Sequence, residues 1–118
     1  MELTERKQGP ATVLEINGRF DFAARREFKD AMERIQQAGC QHVILNLEKV
    51  SFVDSSALGL LVVAHQNLKL KDGRISLVNP QSYVRQILDL ANVPRMIPVF
   101  STVEEACAGF EQSAAAAR

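Results

Sequence analysis

The chain has 118 residues, 47% of them hydrophobic, and its 14 basic residues balance 14 acidic ones. That is the size and composition of one folded domain, able to bury roughly two thirds of its unfolded surface without a disulfide or metal, and it excludes disorder. A net charge of zero lacks the basic excess that a nucleic-acid binder gathers on one face, so protein or small-molecule partners are expected and no direct nucleic acid.

The longest apolar run, residues 57–64, falls far short of the roughly 20 residues a membrane span requires, and residues 1–6 hold no apolar signal core. No membrane span and a cytoplasmic location are therefore expected. Cys40 and Cys107 stand in no CxxC or Cys/His cluster and read as reduced structural thiols, with no metal or cofactor implied.

Residues 12–16 suit a short strand, and the Gly9-Pro10 turn before them predicts an antiparallel hairpin with a polar first strand over residues 2–7. From Phe22 onward Ala24, Phe28, Ala31, Met32, Ile35 and Ala38 recur at three- and four-residue steps between charged residues. This predicts an amphipathic helix capped by Asp21 and ended by Gly39. Residues 43–47 are almost continuously apolar, as a strand covered on both faces must be, and belong at the sheet centre.

A polar turn, Asp54-Ser55-Ser56, leads into a helical stretch from Ala57 to about Leu70 that Asp72-Gly73 closes. Residues 75–78 read as a strand. Pro80 is expected to open a helix with Val84, Ile87, Leu88 and Ala91 inward, stopped by Asn92 and Pro94. Residues 96–100 form a candidate last strand held to an edge by Pro98, which has no amide to donate. Thr102 and Glu105 have the spacing of a capping box, opening a helix with Val103, Ala106, Cys107 and Phe110 inward.

Strands alternating with helices after residue 43 predict parallel strands joined by crossovers behind the hairpin. The fold class is α/β: one domain over residues 1–113, a mixed sheet of about four to five strands and about four helices, and a frayed tail at 114–118. In such sheets ligands and partners meet the loops at the carboxyl ends of the strands, where the Asp54-Ser55-Ser56 turn lies.

The stretch Asp54-Ser55-Ser56-Ala57-Leu58-Gly59, after an apolar strand, closely resembles the STAS domain of bacterial anti-sigma factor antagonists. Gly18-Arg19-Phe20-Asp21 is similar to the Gly-x-Leu/Phe-Asp that this family places before its first helix, and the order of elements agrees out to about Phe110. The resemblance implies a binding switch that is not an enzyme. The unphosphorylated form would bind an anti-sigma factor, usually a serine kinase of GHKL type, and so release a sigma factor. The kinase would phosphorylate the serine directly after the Asp, Ser55, and a PP2C-type phosphatase would remove the phosphate. Asp21, Asp54, Ser55 and Ser56 are the implied partner-binding residues. Ala57 departs from the Gly that many members carry there.

Elementary chemistry is consistent with that role. A phosphate on a serine at a helix start meets amides without intrahelical partners and the positive end of the helix dipole, while adding about −1.5 to −2 charge at pH 7. Plainer readings stand beside it: Ser55 or Ser56 as a helix cap, Asp54 as a turn former, Asp21 as a cap, Gly59 as a packing residue, and Arg25, Arg26 and Lys29 as a solvated face. A hydrolase built on Ser55 with His42 or His65 fares poorly. No Gly-x-Ser-x-Gly elbow exists, His65 lies roughly 15 Å along the same helix, and His42 falls at the opposite end of the central strand. The competing function within the fold is a non-enzymatic STAS subunit of a lipid-transport or stress-sensing complex.

Overall fold

The computed structural model describes the backbone of residues 1–116 and the side chains of residues 1–109. Strand β1 (Glu2–Gln8) turns through Gly9 and Pro10 into β2 (Ala11–Phe20), and the two pair antiparallel from Glu2↔Asn17 to Gln8↔Ala11. Gly9 adopts φ +59°, the left-handed region that only glycine enters at low cost, which lets two residues close the hairpin. β3 (His42–Val53), β4 (Arg74–Val78) and β5 (Val99–Phe100) follow in parallel, giving a five-stranded sheet in the order β1-β2-β3-β4-β5.

Four helices cover this sheet: α1 (Arg25–Gln37), α2 (Ser55–Leu70), α3 (Ser82–Leu90) and α4 (Val103–Ala116). β3 distributes its side chains between two cores. Val43, Leu45 and Leu47 point to the side where Phe28, Met32 and Ile35 of α1, Leu61 and Leu68 of α2, and Val84 and Leu88 of α3 pack. Ile44 faces the other side, with Ala11, Val13 and Val78 beneath Val103 and Ala106 of α4. Burial on both faces explains the nearly continuous apolar run of residues 43–47.

Several boundaries move. β3 runs past Leu47 because pairing with β2 resumes at Asn17↔Lys49 and continues to Phe20↔Val53, although β4 leaves it after Asn46↔Val78. β2 reaches Phe20 through two register irregularities, at Glu15/Asn17 and Gly18/Arg19. A short 3-10 turn, Phe22–Ala24, precedes α1. Asn79 donates its backbone N–H to the Phe100 carbonyl at 2.8 Å, which holds it to the sheet, so α3 begins at Ser82 and not at Pro80. Ile87 is half-buried, and Ala91 and Ala38, which cap their helices, are exposed. The capping box forms: Thr102 Oγ1 accepts the Glu105 N–H and Glu105 Oε2 accepts the Ser101 N–H, each at 3.1 Å. Cys40 and Cys107 are half-buried and not joined in a disulfide. The expectations for Phe110 and for the tail from Ala114 lie outside the described side chains.

Candidate functional site

Phe20 and Val53 are register partners at the carboxyl ends of β2 and β3. Asp21 and Asp54 each follow one residue later, so the sheet itself sets these two acids side by side. Asp54 holds an extended backbone and caps α2, its Oδ1 accepting the Ala57 N–H at 3.0 Å. Its Oδ2 accepts the Phe22 N–H at 3.1 Å. One carboxylate therefore fastens both helix-bearing turns.

With Asp54 in the cap position, Ser55 and Ser56 become the first two helical residues, and the reading of either serine as the cap is corrected. Ser55 is exposed, Ser56 half-buried, and Ala57 fully buried beneath them. The first intrahelical bond runs from the Leu58 N–H to the Asp54 carbonyl, so the Ser55 and Ser56 amides precede the helical ladder.

Asp21 also departs from expectation. The 3-10 turn after it ties the Ala24 N–H to the Asp21 backbone carbonyl at 3.0 Å, and its side chain makes no capping bond. The carboxylate instead meets Arg19 Nε at 3.3 Å. Asp21, Asp54, Ser55 and Ser56 thus share the edge of the sheet at the carboxyl ends of β2 and β3.

Two arginine–aromatic pairs belong to the same edge and were not singled out from the sequence. Arg19 lies 4.1 Å from the Phe52 ring centre, and Arg25 lies 3.9 Å from that of Phe22 while donating to the Phe22 carbonyl at 3.0 Å. Phe22 is 57% exposed, although apolar and next to the capping turn. An aromatic residue two positions ahead of the Ala24–Phe28 stripe was the available signal.

His42 is fully buried, with Nε2 3.0 Å from Ser76 Oγ, at the start of the strand whose end carries Asp54. Burial, with the Arg74 guanidinium, pulls its pKa down to about 4. Among the described residues no group of His, Cys, Asp and Glu could hold a metal, and no helix is long and apolar enough to cross a membrane.

The family model of the STAS domain matches residues 3–106. The chain belongs to the STAS domain family. A STAS-domain containing protein of Pseudomonas aeruginosa is 34% identical over 91 residues, which is 77% of this chain and 89% of that protein. The anti-sigma F factor antagonist of Paenibacillus polymyxa is 28% identical over 68 residues, 58% of each chain. Among solved structures, the anti-sigma factor antagonist SpoIIAA in its unphosphorylated form superposes with a TM-score of 0.79 at 25% identity, covering 94% of this STAS domain and 97% of that chain.

Proposed function

We infer that this STAS domain is a phosphorylation-switched anti-sigma factor antagonist. Its unmodified form binds an anti-sigma factor that is also a serine kinase of GHKL type, freeing a sigma factor. Phosphorylation of Ser55 ends the binding, and a PP2C-type phosphatase restores it. The observation that carries this reading is the division of labour at the start of α2. Asp54 performs the capping, which leaves the exposed Ser55 hydroxyl available for modification without dismantling the helix start. The roles of the Paenibacillus relative and of SpoIIAA as anti-sigma factor antagonists support the antagonist part of this reading.

The switch needs little internal rearrangement. Transfer of a phosphoryl group from ATP to Ser55 Oγ places a dianion next to the unpaired helix amides, which stabilise it, and beside Asp54, on the rim of the docking face. A partner surface that fits the neutral hydroxyl then meets an unmatched charge, which disfavours the complex.

The test is retrieval of the regulator by pull-down, incubation with ATP, and site mapping by mass spectrometry on wild type, Ser55→Ala and Ser56→Ala. A phosphate that is present in wild type and Ser56→Ala and absent from Ser55→Ala supports the reading. Phosphate retained in Ser55→Ala refutes it.

A further inference from the structure

The two edges of the sheet are built differently. β5 is two residues long and follows Pro98, which has no N–H to donate, so that edge offers little to a further strand. β1 is seven residues long, holds no proline, and pairs with β2 without a register irregularity from Glu2↔Asn17 to Gln8↔Ala11. Because two residues close the hairpin, Gln8↔Ala11 is a hydrogen-bonded pair, and by alternation the backbone groups of Gln8, Arg6, Thr4 and Glu2 turn toward β2. The N–H and C=O groups of Leu3, Glu5 and Lys7 therefore face outward, along an edge that no described strand covers.

Charged side chains commonly protect such an edge, but their order on β1 favours one partner. Glu2, Thr4 and Arg6 are exposed and lie on one face of the sheet. Neither Glu2 nor Arg6 makes an ion pair with a described residue, and Arg6 donates only to Gln8 Oε1 of its own strand. Glu5, on the opposite face, is already held by Arg34 of α1. Antiparallel pairing of β1 with itself about a two-fold axis has to set outward-facing residues against one another, which leaves few registers. Centred on Thr4, it puts Glu2 opposite the partner's Arg6 twice over and Thr4 opposite Thr4, all at non-hydrogen-bonded positions, where side chains come closest. Leu3 and the partner's Glu5 then exchange the backbone bonds. Centred on Glu5 the register opposes two carboxylates, centred on Arg6 it opposes two guanidiniums, and centred on Leu3 it brings no oppositely charged side chains together.

We propose that β1 binds a second copy of this chain, edge to edge and antiparallel about Thr4, joining two five-stranded sheets into one with a pair of Glu2–Arg6 ion pairs on its face. The contact spans residues 2–6, about 17 Å of strand, and is smaller than the roughly 800 Å² per partner of a standard interface, so the dimer is weak and sensitive to salt. The inference is independent of the Ser55 switch, because it uses no residue of the β2–α1 or β3–α2 turn.

The experiment is sedimentation equilibrium of the unmodified protein from about 10 μM to about 1 mM, with amide NMR spectra over the same range. A dimer forms with a Kd below about 1 mM at low salt and weakens at least fivefold near about 0.5 M salt. The Leu3 and Glu5 amide signals shift with concentration, and that of Ser55 does not. Arg6→Glu and Glu2→Arg each set like charges opposite one another at two places, because the axis doubles every substitution, and each weakens dimerisation at least tenfold. The double variant Glu2→Arg/Arg6→Glu restores the dimer to within about threefold of wild type. Both positions are exposed, and thermal melting confirms that each variant is folded. A monomer throughout the range, concentration-dependent shifts confined to residues outside β1, single variants that pair as tightly as wild type, or a double variant no tighter than the single ones overturns the proposal.

Discussion

Asp54 and Phe22, 32 residues apart, are joined by a 3.1 Å hydrogen bond from the Phe22 N–H to Asp54 Oδ2, while Oδ1 of the same carboxylate caps α2. This bond links the β2–α1 turn to the β3–α2 turn, so this edge of the sheet is preorganised. Asp54→Ala removes both acceptors and is expected to cost about 1–3 kcal/mol. Asp54→Asn keeps an oxygen for Ala57 but turns an NH2 toward the Phe22 amide, and should lose roughly half as much. Urea unfolding of the three proteins checks this. Losses below about 0.5 kcal/mol for both variants would mean the bond contributes little.

Leu45 is fully buried on the central strand, within the core shared with α1, α2 and α3. Leu45→Ala should destabilise the domain by about 2–5 kcal/mol, the lost transfer energy plus the cavity left behind. Equilibrium denaturation of the variant against wild type measures it directly.

His42 gives a pH dependence with a definite sign. Its pKa falls from 6.5 to about 4 on folding, so between these values the unfolded chain binds the extra proton. The contribution is complete above pH 6.5 and is lost as pH falls toward 4. This residue alone should lower stability by about 2 kcal/mol between pH 7.5 and pH 5. The stability difference between wild type and His42→Gln should shrink by that amount over the interval. A constant difference would place the histidine in an ordinary environment.

Phe22 combines exposure with rigidity, since its amide is held by Asp54 and its ring lies beneath Arg25. Such aromatic groups anchor protein interfaces. Phe22→Ala should weaken regulator binding at least tenfold while shifting unfolding by no more than about 1 kcal/mol. Binding calorimetry paired with thermal melting separates the two effects.

The order of elements was legible because hydrophobic period records burial: the nearly continuous apolar run at residues 43–47 marks a strand with a core on both faces, and the Ala24–Ile35 stripe marks α1. The continuation of β3 to Val53 was not, since Glu48 and Lys49 interrupt the apolar pattern while the backbone goes on pairing with β2. The family resemblance singled out Ser55 and both acids as candidates, and the register of β2 and β3 brings the two acids to the same edge. The resemblance could not reveal that the Asp54 carboxylate also holds the Phe22 amide, because that bond spans a helix and a strand. Phe22 and Arg19 escaped notice for a related reason: their stacking partners arise from the turn and the sheet register.

The central claim is that charge at Ser55 governs docking while the fold stays intact. Its most direct test is isothermal titration of the retrieved regulator with unmodified protein and with protein phosphorylated stoichiometrically at Ser55. Because an unmatched charge in a desolvated interface costs about 2–5 kcal/mol, phosphorylation should weaken binding by at least tenfold, with both forms melting cooperatively. Equal affinity of the two forms would contradict the account.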